Sequence, residues 1–173
     1  MTSGEWEQNK ACLYPILDQY QREGYQALLK IAERYEGAFL CDGVGLGKTL
    51  IGLMLIERLI VYDRKRVVLL VPKAARKPVW EQHINKYAPH LGAVHDFSNL
   101  SILNHSDLLR GGDVPARLER IAEMADVLVI DEAHHFRNPG VLGKTAYWKL
   151  YDICRKKTTF FLTATPINNS LRD

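Results

Sequence analysis

At 173 residues and 19.7 kDa, with 47% apolar and 25% charged residues, the chain has the composition of one folded domain that buries about 70% of its unfolded surface, which excludes disordered, collagen-like and coiled-coil architectures. A formal net charge of +3 tolerates a polyanionic partner but is far weaker than a nucleic-acid-binding tail carries, so charge alone assigns no partner. Three cysteines (Cys12, Cys41, Cys154) without CxxC spacing exclude a disulfide framework and a zinc ribbon, and fit reduced thiols inside a cell.

Met1 to Lys10 carries acids and no apolar stretch behind a basic start, so no secretory signal is visible. From Asp18 to Tyr35, Tyr20, Ala27, Leu28, Ile31, Ala32 and Tyr35 recur at mostly three- and four-residue spacings, which predicts an amphipathic helix ended by Gly37. Ala38 to Cys41 predicts a strand that enters a glycine-rich turn, and Thr49 to Tyr62 predicts a buried helix. The longest apolar run, Leu50 to Tyr62, is interrupted by Glu57 and Arg58 and falls short of the roughly 20 residues of a membrane span. Val67 to Val71 and Val127 to Ile130 are aliphatic without polar alternation, as in parallel strands covered on both faces; Thr159 to Leu162 is a third candidate. Between them, Leu118, Ile121, Ala122 and Ala125 form a helical stripe with Asp113 as N-cap and Pro115 in the first turn, and a further helix is predicted from Thr145 to about Arg155. Short aliphatic strands alternating with helices predict an α/β fold, a mainly parallel central sheet with helices on both faces.

The strongest chemical signal is Asp42-Gly43-Val44-Gly45-Leu46-Gly47-Lys48-Thr49, between a predicted strand and a predicted helix. Glycines let backbone amides turn inward on an anion, the helix start adds its positive end, Lys48 reaches the outer phosphates, and the Thr49 hydroxyl is a ligand for Mg²⁺. The general pattern has glycine where this chain has Asp42. The second signal is Asp131-Glu132-Ala133-His134 directly after a buried strand, where an open α/β sheet places its ligand site. Asp131 suits anchoring a metal-bound water shell and Glu132 suits activating a water; taken alone, the pair also reads as a helix cap. Adjacent His134 and His135 lack the i, i+4 face of a helical metal site.

Tyr20-Gln21, Asp42 to Thr49, Asp131 to His134 and Leu162-Thr-Ala-Thr-Pro-Ile-Asn-Asn169, in this order, resemble the first RecA-like lobe of superfamily 2 helicase-like ATPases. Gly-Leu-Gly-Lys-Thr after an aspartate, His135-Phe136-Arg137-Asn138 after the second motif, and Thr165-Pro-Ile-Asn-Asn169 make it most similar to the Swi/Snf branch. The resemblance runs from about Leu17 to Asp173 and implies a P-loop NTPase lobe over 17–173 behind a lead-in of residues 1–16. It implies that Gln21 reads adenine, that Asp42 to Thr49 hold ATP, that Lys48, Asp131 and Glu132 carry the chemistry, and that Thr49 and Asp131 hold Mg²⁺. It further implies that His134 and Thr163-Ala164-Thr165 couple nucleotide state to movement, and that Lys73, Arg76 and Lys77 lie along a DNA backbone, with the Ile102 to Leu109 segment as a second contact.

Three departures stand out: Asp18 where many members have arginine, Gly43 where glutamate is usual, and His135 where arginine is usual. The implied activity is that of an intracellular double-stranded DNA translocase or remodeller, in cytoplasm or nucleoid if prokaryotic and in the nucleus if eukaryotic, with a DNA-bound protein as a further partner. The chain is expected to be one lobe of a longer motor whose second RecA-like lobe supplies arginine fingers, worth about 10³ to 10⁵ in rate, so that alone it binds nucleotide and hydrolyses it poorly. The alternatives are a one-lobe ATP-binding interaction module and a lobe of another superfamily 2 helicase.

Overall fold

The computed structural model describes residues 1–41, 47–92, 99–108, 114–136 and 146–163. Five strands, β1 (Gly37–Cys41), β2 (Val67–Val71), β3 (Leu100–Asn104), β4 (Val127–Asp131) and β5 (Thr158–Thr163), form one sheet in the order β1-β5-β4-β2-β3 with every pairing parallel. The all-aliphatic runs of β2 and β4 are buried at every position, as strands covered on both faces must be. Because side chains alternate along a strand, Val67, Leu69, Val71, Val127 and Val129 join one core, while Val68, Leu70, Leu128 and Ile130 join another on the opposite face.

The first core is closed by α1 (Ser3–Asn9), α2 (Gln19–Tyr35) and α3 (Lys48–Glu57), the last continuing as a π-helical stretch over Arg58–Tyr62. Trp6, Ala11 and Leu13 from the leading segment pack into this core beside Tyr25, Leu28 and the fully buried Leu53 to Ile56. A second helical run follows β2: α4 (Lys73–Ala75), a π-helical stretch over Arg76–Glu81, and α5 (Gln82–Tyr87), which buries Trp80 and Ile84. The opposite face is covered by α6 (Val114–Met124) and α7 (Ala146–Cys154), through Ile121, Leu150 and Ile153.

The predicted elements recur with small changes. Asp18 is the N-cap of α2, and its C-cap is Glu36 in the left-handed conformation (φ 57°, N–H to the Ala32 carbonyl), so Gly37 does not end the helix. Gly37 opens β1 instead, where a Cβ would sit 2.6 Å from the Thr159 carbonyl oxygen of the neighbouring strand. Pro115 stands in the first turn of α6, and Asp113 lies outside the described residues. Strand β3, α1 and the Lys73 to Tyr87 run have no counterpart among the sequence expectations. No described helix is long and apolar enough to cross a membrane.

Candidate functional site

Parallel strands share one carboxyl edge, and here that edge is marked by Cys41, Val71, Asn104, Asp131 and Thr163. Every described candidate residue lies at this edge or on a helix beginning beside it. Gly47 is the N-cap of α3 with φ 81°, a left-handed conformation that glycine adopts without strain. Its carbonyl accepts the Leu50 and Ile51 N–H groups, which leaves the first-turn amides of Lys48 and Thr49 at the positive end of a long helix. Asp42, Gly43, Val44, Gly45 and Leu46 lie outside the described residues.

Gln21 reaches this turn from α2. Its N–H donates to Asp18 Oδ1 at 2.8 Å and its Oε1 accepts the Asp18 N–H at 3.1 Å, a reciprocal capping box that fixes a buried side chain. Its Nε2 then lies directly against Gly47, where a Cβ would collide with it. Asp18, a departure at the level of sequence, is thus what orients Gln21.

Asp131 ends β4 and is buried. Its Oδ2 accepts the indole N–H of Trp80 at 2.7 Å, and its Oδ1 accepts the Glu132 N–H at 2.9 Å. Burial pushes this carboxyl above its ordinary range; the Trp80 hydrogen bond opposes that, the Glu132 charge adds to it, and the Glu132 N–H and the Lys48 ammonium favour the anion. Each oxygen keeps one lone pair after these bonds. A buried carboxylate at the carboxyl edge of the sheet, within the field of Lys48 at the start of α3, suits a hard cation held between protein and phosphate, so the described residues fit a Mg²⁺-nucleotide.

Glu132 follows the end of β4 at φ 49°, a left-handed conformation that breaks the extended run ending at Asp131. Its Oε2 lies 3.0 Å from His134 Nδ1 without the alignment of a hydrogen bond, and is otherwise buried without a donor. The same His134 nitrogen lies 3.2 Å from the hydroxyl of Thr163 at the end of β5. The two sequence motifs therefore meet through one imidazole. Ala164 and Thr165 lie outside the described residues, as do Arg137, Asn138 and residues 166–169.

Of the basic residues after β2, Lys73 and Lys77 are exposed, whereas Arg76 is held by Glu81 at 2.9 Å. Sequence reasoning missed Trp80 as a site residue. A tryptophan nine residues beyond a buried strand was a legible core candidate, but its indole partner Asp131 is 51 positions away.

A family model described as type III restriction enzyme, res subunit, matches residues 15–168. The chain belongs to this helicase-like family. Among curated relatives, it is 30% identical over 91% of its length to "Probable ATP-dependent DNA helicase CHR23" of Arabidopsis thaliana, covering 16% of that protein. It is also 30% identical over 83% of its length to the "Uncharacterized ATP-dependent helicase YqhH" of Bacillus subtilis, covering 26% of it. The chain thus spans about a sixth to a quarter of these relatives. The SWI2/SNF2 ATPase core of Sulfolobus solfataricus, solved in complex with dsDNA, shares its fold with a TM-score of 0.67 and 24% identity, over 90% of this chain and 33% of that one. The family match makes this a helicase-like lobe, and the fold that it shares with the SWI2/SNF2 ATPase core is a RecA-like α/β sheet.

Proposed function

We propose that residues 17–173 form the ATP-binding lobe of a DNA-dependent ATPase that tracks along double-stranded DNA, with residues 1–16 leading into it. The observation that supports this most is that the Gly47-capped start of α3, which carries Lys48, lies near enough to the buried carboxyl of Asp131 for the Lys48 charge to favour its anion. In this reading Gln21 meets adenine beside Gly47, the loop from Asp42 to Thr49 cradles the phosphates, and Lys48 neutralises their outer charge. Thr49 and Asp131 hold Mg²⁺, which when bound offsets the charge of the transferring phosphoryl group. Glu132, one residue past the end of β4 where the backbone turns left-handed, takes the proton of the attacking water.

His134 touches both Glu132 and Thr163, which makes it the residue through which the hydrolytic site and the segment from Thr163 to Thr165 sense each other. Lys73 and Lys77, exposed after β2, supply DNA phosphate contacts, and Arg76 shares its charge with Glu81. A second RecA-like lobe of the same polypeptide closes the cleft and supplies arginine to the transition state, so this lobe alone turns over slowly. Such a motor works inside the cell, and a DNA-bound protein is its displaced cargo.

The test is steady-state ATP hydrolysis by the full-length protein as duplex DNA is added at two salt concentrations. Stimulation that weakens steeply between 50 and 200 mM salt, about the range over which phosphate contacts lose most affinity, is expected. Hydrolysis indifferent to duplex DNA would overturn the assignment.

A further inference from the structure

Away from the nucleotide site, three side chains of unrelated sequence position converge at the far end of α3. We propose that Cys12, Glu57 and His90 form a site for one borderline-soft divalent cation, with zinc as the best fit. Cys12 lies in the segment between α1 and α2, Glu57 closes α3, and His90 follows α5; their sulfur, carboxylate oxygen and imidazole nitrogen all lie within 4.8 Å of one another.

Glu57 sets the geometry. It is a carboxylate only 1% exposed, and it is oriented by two backbone donors, the Cys12 N–H on Oε1 at 2.8 Å and the Leu13 N–H on Oε2 at 3.0 Å. Each oxygen keeps one lone pair. His90 Nε2 stands 3.2 Å from Oε1, a separation that either an Nε2–H donor or a cation bound between the two atoms satisfies. Without a metal the Cys12 thiol is a hydrogen-bond donor to Glu57, whereas a metal ion uses the oxygen, the nitrogen and the sulfur together as ligands.

Thiolate, imidazole and carboxylate are together a zinc ligand set, and three protein ligands leave a fourth position for water. Cys12 and His90 are exposed, which gives the ion an entry path and lets both side chains rotate to bonding distance around the fixed Glu57. On binding, the Cys12 thiol releases its proton to solvent as the sulfur–metal bond forms, and no electron changes hands. The ion would tie the lead-in segment to the end of α3 and to the turn after α5, three pieces of the same core. This inference is independent of the proposed ATPase activity.

Cobalt(II) titration of the chelator-treated full chain, under a non-coordinating reductant, is the test, followed by displacement with zinc(II). One equivalent of cobalt is expected to give a near-ultraviolet thiolate charge-transfer band that zinc abolishes. Cys12→Ser should remove the band, and His90→Ala should weaken binding by about tenfold or more, as loss of a ligand requires. Both substitutions are at exposed positions, and circular dichroism of each checks that the fold is kept; a variant that unfolds is replaced by Cys12→Ala or His90→Gln. Absence of a one-equivalent band, persistence of the band in Cys12→Ser, or indifference to His90→Ala would each overturn the site.

Discussion

The indole N–H of Trp80 donates to Asp131 Oδ2 over 2.7 Å, joining a fully buried side chain from the helical run after β2 to the carboxylate that ends β4. With the Glu132 N–H on Oδ1, this bond leaves the Asp131 carboxylate little freedom to rotate. Trp80→Phe keeps most of the buried volume and removes the donor. Turnover is expected to fall about 10- to 100-fold with a raised Mg²⁺ requirement, while binding of metal-free ATP stays unchanged. The check is kcat as a function of Mg²⁺ concentration; an unaltered Mg²⁺ dependence would show that the bond is only packing.

Gly47 and Gln21 predict a second outcome. Alanine at position 47 must hold φ near 81° and push its Cβ into the Gln21 carboxamide. A left-handed residue costs about 1 to 2 kcal/mol before any collision, which corresponds to roughly 5- to 30-fold if it falls on ligand binding. A fluorescent ATP analogue titrated into Gly47→Ala should show that loss, whereas Gly4→Ala, with open space around its Cβ, should show none.

The lead-in segment is held by a buried polar network. Glu7 Oε1 accepts from the Tyr25 hydroxyl at 2.7 Å and from Arg58 at 3.1 Å, and its Oε2 accepts from Gln26 at 2.8 Å; Arg58 also contacts Ser3 and lies 4.2 Å over the Tyr62 ring. Glu7→Ala leaves the Arg58 guanidinium with Asp63, 3.2 Å away, as its remaining carboxylate, strips the buried Tyr25 hydroxyl of its acceptor, and should lower stability by about 1 to 3 kcal/mol in urea unfolding. Combining Glu7→Leu with Arg58→Met and Asp63→Asn should recover part of that loss, since all three charges of the network are then removed together.

Acid sensitivity should show at the start of β4. Asp126 receives the Arg66 side chain and N–H, and the guanidinium hydrogen bonds hold its carboxyl down at about 2 from 3.8. A depressed carboxyl stabilises the fold above its unfolded value and loses that contribution as pH falls through its folded value. The urea midpoint of the wild type should therefore converge on that of Asp126→Asn as pH drops from 3.8 to about 2, with a difference at neutral pH under about 1 kcal/mol because the pair is solvent-exposed. A difference that persists unchanged at pH 2 would contradict the pairing.

The central strands and the helix over Lys48–Glu57 were legible because burial on both faces leaves uninterrupted aliphatic runs such as Val67 to Val71. Strand β3 was not, because Leu100-Ser-Ile-Leu-Asn104 ends the sheet order and mixes polar with apolar residues. The Thr2 and Glu5 capping box of α1 is a local signature that a seven-residue helix makes easy to pass over. At the site, the motifs themselves named Lys48, Asp131 and Glu132, since their spacing encodes local turns, whereas Gln21 and His134 were named only through the family resemblance. It could not supply contacts that depend on tertiary closure: Trp80 on Asp131, His134 on Thr163, or the Glu81 partner that occupies Arg76.

The most direct test compares ATP binding and ATP turnover by the full-length protein carrying Glu132→Gln or Lys48→Ala. With Glu132 as the base, Glu132→Gln should bind ATP as the wild type does and lose turnover by about 10²- to 10⁴-fold, while Lys48→Ala should lose binding itself. Turnover by Glu132→Gln at the wild-type rate, or an unchanged binding curve for Lys48→Ala, would contradict the assignment of this lobe as an ATP-hydrolysing site.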